Sequence, residues 1–336
     1  MEHVSIPEIP INASRVGLGT WAMGGTLWGH TDDTESIRTI HSALDRGINL
    51  IDTAPAYGDG HAEEVVGRAV AERGGRERII IATKVGLEWR GNTIFRIATR
   101  ERIFEEIEAS LRRLQTDYID LYQVHWPDPL VPIEETAEAM LELKHQGKVR
   151  ALGVSNYSVD EMERFRHVAP LASAQPPYNI FERAAAGIIA WCQEHGVATL
   201  TYEALCRGLL TGQIHADTRF GEDDMRQTDP KFQPPRFAQY LAAVDRLAEF
   251  ARNRYGKSLI ALAVRWVLDQ PGVSVVLWGT RHPNRLDPLD DVFGWHLDTS
   301  ANVEIDQILS ETIRDPVGPE FMAPSVRPAK EAHAVA

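Results

Sequence analysis

A carboxylate at Asp52 is followed five residues later by a phenol at Tyr57. The run 48–51 before them is short and apolar, and Pro55 and Gly58 forbid regular structure after it. A helical pattern resumes beyond His61. That order describes a buried strand delivering both groups into the loop at its C-terminal end. Alone, the two are most simply a hydrogen-bonded pair. Three later apolar runs, however, also stop at polar groups: 79–83 at Lys84, 119–124 at His125, and 151–154 at Ser155 and Asn156. Gln175 and Tyr202 stand at the ends of the next two. Each has an ordinary alternative: Lys84 as a surface stop, His125 as a satisfied buried histidine, Asn156 as a helix cap. Structure alone gives no reason for their conjunction.

The group supports a definite chemistry. A phenol is a poor acid near neutrality, with an ordinary pKa of about 10. An ammonium at Lys84 stabilises the phenolate and lowers that value, and Asp52 keeps the ammonium charged and oriented. His125 can donate to a carbonyl oxygen or assist proton delivery. A proton donor beside a polarised carbonyl is half of a reduction. The other half is hydride, which no side chain supplies, so a cofactor is implied. The histidines lack ligand spacing, and no metal is expected.

Positioning these residues requires strand ends that converge. Strand and helix patterns alternate eight times. Helical faces are marked by Ile37, Ile40 and Leu44, by Val65, Val66, Ala69 and Val70, and by Ile103, Ile107, Leu111 and Leu114. Asp32 with Glu35 forms a plausible capping box, and Pro132 suits the start of a later helix. The pattern predicts a single α/β domain over residues 1–336: a (β/α)8 TIM barrel with a short N-terminal hairpin and extra C-terminal helices. The core spans about 12–295, and the proline-containing stretch 315–336 is expected to be a surface extension. Gly17-Leu18-Gly19 lacks the third glycine of a dinucleotide fingerprint and is taken as turn chemistry. The polar segment 212–235 is long enough to be a functional lid.

Composition excludes several classes. The chain has 336 residues, 43% of them hydrophobic, and a formal charge of -13, which argues against nucleic acid or anionic membrane as partner. No apolar stretch is long enough to span a bilayer, and the N-terminus does not resemble a signal peptide. Cys192 and Cys206 match no disulfide or metal spacing, as expected of reduced thiols in a cytoplasmic protein.

The runs Leu50-Ile51-Asp52-Thr53-Ala54-Pro55-Ala56-Tyr57-Gly58, Ala82-Thr83-Lys84 and Asp120-Leu121-Tyr122-Gln123-Val124-His125-Trp126-Pro127 resemble the aldo-keto reductases. So do Leu152-Gly153-Val154-Ser155-Asn156-Tyr157 and Gly208-Leu209-Leu210-Thr211-Gly212. The resemblance covers about 16–288 and implies a barrel that binds extended NADP(H). It makes Tyr57 the general acid, tuned by Lys84 and Asp52, with His125 orienting the carbonyl. It puts Ser155, Asn156 and Gln175 at the nicotinamide carboxamide, Tyr202 on the ring, and Leu205, Arg207 and Gly208 along the pyrophosphate. Gly19, Thr20, Trp21 and Asp52 also fall on the cofactor side.

The family's adenosine-phosphate segment falls on Gly279, Thr280, Arg281 and Arg285, whose guanidinium groups match phosphate geometry, although two surface arginines are the ordinary alternative. Pro288 and Leu289 replace the Glu-Asn of many members, and Glu203-Ala204 replaces a more usual Ser-Pro. Trp21, Trp28, Trp89 and Trp126, with Tyr57 and His125, are candidates for the substrate pocket; some of the tryptophans can instead pack rim loops. The stretch 21–29 is similar to a bacterial branch that reduces small aldehydes and short sugars such as glyceraldehyde, so a small polar aldehyde is the expected substrate. The alternative is a redox-sensing NADP(H)-binding module resembling potassium-channel β-subunits. The state is expected to be monomer or homo-oligomer.

Overall fold

In the computed structural model, which describes residues 1–328, eight parallel strands close into a barrel. They are Val16–Gly19, Leu50–Asp52, Ile80–Val85, Ile119–Val124, Val149–Ser155, Ser173–Gln175, Ala198–Thr201 and Val275–Gly279. The ring closes where Val276 to Gly279 pair in register with Val16 to Gly19.

Side chains alternate along a strand, so one residue type in two points inward. Leu50, Ile80, Ala82, Leu121, Ala151, Leu200, Val275 and Leu277 form one buried cluster inside the ring. Ile51, Ile81, Tyr122 and Leu152 belong to the other, packed with Ile40, Val66, Ile107 and Met140 of the surrounding helices. Each Val, Leu, Ile or Met side chain among them contributes about 1.5–3 kcal/mol on full burial. The interior is tight enough that a Cβ at Gly17 would lie 2.8 Å from Leu50 and 2.9 Å from Leu277. That glycine serves barrel packing, not a nucleotide turn. The expected hairpin forms, with His3–Val4 antiparallel to Ala13–Ser14. Ile6 and Ile9 in its loop join the interior cluster and stopper the barrel.

The same alternation explains the site. Asp52 shares the inward parity of Leu50, Lys84 that of Ile80 and Ala82, and Gln123 that of Leu121. Lys84 lies one residue inside its strand, not after it, because Ile80–Val85 runs to Val85. The first long helix, Asp33–Asp45, is capped by Asp32 accepting from the Glu35 amide. The segment 212–235 holds no long element, only the short turns Met225–Gln227 and Pro230–Phe232.

The surface extension expected after residue 315 is ordered in part against a hairpin. Leu87–Arg90 and Thr93–Arg96 form a hairpin over the barrel mouth, and Ser325–Val326 adds to it as a third, parallel strand. Arg327 is 5% exposed and bonds to Asp128 and the Arg96 carbonyl. Residues 329–336 of that extension lie outside the described residues. A further helix, Thr299–Thr312, follows the turn-like run Pro283–Val292. Among the described residues, no helix is long and apolar enough to cross a membrane.

Candidate active site

Three strand ends and one loop bring Asp52, Lys84, His125 and Tyr57 together. The Lys84 ammonium donates to Asp52 Oδ1 at 2.6 Å, to the Thr53 carbonyl at 3.0 Å and to Tyr57 Oη at 3.1 Å. Its three protons are thereby assigned. Gln175 Nε2 donates to Asp52 Oδ2 at 2.8 Å, with Gln123 Nε2 at 3.4 Å. Because Lys84 donates to the phenol oxygen, the phenol hydrogen is directed elsewhere. His125 stands edge-on to the Tyr57 ring at 5.7 Å. The Tyr57 loop turns at Gly58, with φ of +67°, where a Cβ would meet the Gly24 carbonyl oxygen at 2.1 Å.

Burial dominates the electrostatics here. It holds the Tyr57 phenol well above its ordinary value, aided by the negative charges of Asp52 and Glu203. This reverses the lowering expected from Lys84: taking a phenolate out of water costs more than one shared ammonium returns. Burial also lowers the Lys84 pKa, against the raising effect of Asp52. His125 is pushed well below its ordinary value by burial and then by Lys84. The site at neutral pH therefore holds a protonated phenol and a neutral imidazole.

Two cavities meet at Tyr57. One, of about 900 Å³, is lined by Trp21, Trp89, Trp126, His125 and Asn156, and also by Phe321 and Met322 of the C-terminal segment. The other, of about 390 Å³, runs past Gly19, Thr20, Leu205, Arg207, Gly208, Gly279 and Thr280 to Arg281 and Arg285. Trp21, Tyr57, Gln175 and Tyr202 face both. Trp21 stacks on Tyr57 with ring centres 5.9 Å apart. Trp28 departs from expectation: it lines the smaller cavity, edge-on to Trp21 at 5.5 Å, and not the larger one. The segment 212–235 reaches the same place, since the Met225 amide donates to the Leu27 carbonyl at 3.0 Å. Arg226 lies over the Trp28 ring at 5.4 Å.

The smaller cavity, together with the Ser155 and Asn156 edge of the larger one where the two meet, forms a long groove of mixed lining. A Cβ on Gly279 would meet nothing within 4 Å, so the glycine leaves open space on that wall. Ser155, Asn156 and Gln175 cluster: Ser155 Oγ donates to the Gln175 carbonyl at 2.8 Å, and Asn156 Nδ2 to the His125 carbonyl at 3.0 Å. Tyr202 Oη donates to Asn156 Oδ1 at 2.8 Å. Asn156 adopts φ of +61°, a conformation asparagine tolerates better than most residues. Arg281 reaches the Trp28 and Gly29 carbonyls at 3.0 and 3.3 Å, while Arg285 is exposed at the far end. Leu289, in the place of a family polar residue, is 1% exposed and turned into the core.

Arg207 borders this cavity, but its charge is committed within the protein. Its Nε donates to Asp229 at 2.5 Å and its Nη2 to Glu182 at 2.5 Å, while Nη1 pairs with Glu203. None of these carboxylates was visible as a partner in the sequence, because they come from three separate segments. The hairpin residues Asn92 and Ile94 and the wall Phe321, Met322 and Pro324 were missed as well. They lie on loops and an edge hairpin, where no periodic signal exists.

A model of the aldo/keto reductase family matches residues 15–310. The chain is 58% identical to aldo-keto reductase YhdN of Bacillus subtilis (strain 168), over 97% of this chain and 99% of the relative. It is 35% identical to the NADH-specific methylglyoxal reductase of Escherichia coli (strain K12), over 85% and 91% of the two chains. Among solved structures, glycerol dehydrogenase AKR11B4 from Gluconobacter oxydans aligns with a TM-score of 0.86 at 51% identity, covering 96% of this chain and 99% of that one. A closed barrel, an Asp-Lys-Tyr-His group gathered at its mouth and these matches agree: the chain belongs to the aldo-keto reductase family and is an oxidoreductase of NAD(P)H-dependent carbonyl reduction.

Proposed function

We propose that the chain, folded as one barrel domain, reduces small polar aldehydes to alcohols with NADPH, and that Tyr57 is the proton donor. The observation that carries this reading is the Lys84 donation to Tyr57 Oη at 3.1 Å. It leaves the phenol hydrogen free to point toward the substrate cavity. A dinucleotide held along the smaller cavity would supply the hydride for the carbonyl carbon. Tyr57 gives its proton to the carbonyl oxygen, and solvent later restores it. His125, neutral because burial disfavours its cation, donates a hydrogen bond that orients and polarises the same oxygen. Lys84, fixed by Asp52, steadies the phenolate as it forms, when its charge matters most.

Ser155, Asn156 and Gln175 are assigned to the carboxamide and Tyr202 to the ring face. Leu205 and Gly208 are assigned to the pyrophosphate, with Gly19, Thr20 and Trp21 on the opposite wall. Arg281 and Arg285 are assigned to a 2′-phosphate, which is the basis for preferring NADPH over NADH. Trp21, Trp89 and Trp126 wall the carbonyl compound, and the cavity of about 900 Å³ leaves room beyond a three-carbon aldehyde.

The test is the initial rate of NADPH absorbance loss with glyceraldehyde and larger aldehydes, repeated with NADH. Turnover with NADPH at limiting cofactor well above that with NADH is expected. Equal rates would remove the phosphate assignment. Absence of turnover with cofactor bound would favour the redox-sensing module.

A further inference from the structure

Behind Tyr202, on the wall of the smaller cavity, five ionisable side chains are sealed together. They are Arg207, Lys231, Glu182, Glu203 and Asp229, and none is more than 5% exposed at its side chain. Arg207 faces all three carboxylates, and Lys231 meets Glu182 at 2.6 Å and the Gly318 carbonyl at 3.2 Å. Two cations against three carboxylates leave one negative charge unbalanced in a low-dielectric pocket, a costly state that a single proton relieves.

Hydrogen-bond donors decide which carboxylate takes the proton. Glu182 accepts from Arg207 and Lys231, and also from Asn179 Nδ2 at 2.7 Å. Asp229 accepts from Arg207 and from the Lys231 amide at 2.9 Å. Among the described residues, Glu203 accepts from Arg207 alone. Glu203 is also the carboxylate that borders the cofactor cavity. It starts a loop in which Glu203, Cys206 and Arg207 take φ of +66°, +45° and +52°, conformations such residues rarely adopt. The ion cluster holds that loop in place.

We infer that Glu203 is a positioning residue that takes up a proton from solvent when the reduced dinucleotide binds, leaving the cluster behind the nicotinamide neutral in the complex. The inference rests on the cofactor placement proposed above. The driving force is the pyrophosphate, whose negative charge enters the cavity Glu203 lines and disfavours a second anion there. Before binding, burial together with Glu182 and Asp229 already pushes the Glu203 carboxyl up to about 7, against the lowering effect of Arg207 and Lys231. The other groups facing it do not titrate nearby. Tyr202 and Tyr57 are held well above ordinary phenol values, and the Cys206 thiol well above its own, each chiefly by burial.

The experiment is calorimetric titration of the protein with NADPH in buffers of different ionisation enthalpy. The slope of observed heat against buffer enthalpy counts protons. At pH 7.5 an uptake of about half a proton or more is expected, shrinking toward zero below pH 6, where Glu203 is already protonated. Glu203→Gln should bind NADPH with a slope near zero, and Tyr57→Phe should keep the wild-type slope. A wild-type slope of zero at pH 7.5, or an unchanged slope in Glu203→Gln, overturns the inference. The wild-type pH series repeated with NADH, which lacks the 2′-phosphate monoester that itself titrates at about pH 6, decides the matter even if the glutamine variant fails to fold. Binding is read without turnover, so a protein that shows the slope but reduces no aldehyde sinks the proposed function alone. One that turns over without the slope sinks the inference alone.

Discussion

Two buried charge assemblies border the smaller cavity and are built on opposite principles. On one side, Lys84 and Asp52 form a single pair, 0% and 3% exposed, whose surplus donor reaches Tyr57 at the cavity. On the other, the Arg207 guanidinium gives three of its five N–H groups to carboxylates and turns the other two to the sulfurs of Cys206 and Met322, so none is left for a ligand. Both lie where charges interact strongly because water is excluded. What separates them is where the last donor points. A balanced pair with one hydrogen bond directed at a cavity-lining phenol serves chemistry, and a closed network holds a cavity wall.

Variants that remove one cation from each assembly press on this contrast hardest. Lys84→Met strands the Asp52 carboxylate and removes the partner of Tyr57. Turnover should fall by about 10²–10⁴-fold, the range of a lost acid–base function. Arg207→Met strands three buried carboxylates and should cost about 3–5 kcal/mol in urea unfolding, the usual penalty for breaking a buried ion pair. In whatever folded fraction survives, kcat at saturating cofactor should fall far less than in Lys84→Met. Equal loss of kcat in both variants would erase the distinction.

A smaller effect sharpens it. The Glu203 carboxyl is raised from 4.5 to about 7 in the folded protein, so the folded state holds a proton that the unfolded chain has released between those values. Its favourable contribution is full below about pH 4.5 and is lost as pH rises through about 7. Melting temperatures of wild type, measured relative to Glu203→Gln, should therefore fall from pH 5 to pH 8. A constant difference would mean that Glu203 stays ionised throughout.

The smallest expected effect lies at the far end of the cofactor cavity. Arg281→Ala with Arg285→Ala should raise KM for NADPH by about tenfold, one or two charge-assisted hydrogen bonds, and leave KM for NADH unchanged. Equal changes for both cofactors would place the arginines outside the 2′-phosphate site.

Much of the first assembly was legible in the sequence, and little of the second. Asp52, Lys84 and His125 each follow an apolar run, and barrel closure brings strand ends together whatever the intervening loops do. Period-two alternation then points Asp52 and Lys84 inward. Arg207 shows what such patterns omit. Its neighbours Gly208 to Gly212 carry the family resemblance, which puts Arg207 along the pyrophosphate, so the residue reads as a ligand. The direction of its side chain depends on Glu182 and Asp229, which are distant along the chain and carry no periodic signal. The hairpin Leu87–Arg90 and Thr93–Arg96 was too short to stand out, and the prolines at 316, 319, 324 and 328 marked only a partly ordered surface tail. In the fold, that tail donates an edge strand and walls the larger cavity.

The most direct test of the central claim is Tyr57→Phe, which deletes one oxygen from the point where the two cavities meet. NADPH-dependent aldehyde reduction should drop by about 10²–10⁴-fold, while the NADPH dissociation constant, read by fluorescence, stays within about threefold, since Tyr57 is assigned no strong cofactor contact. Retained turnover would contradict the assignment of Tyr57 as the proton donor, and with it the account of what Lys84 and Asp52 are placed to do.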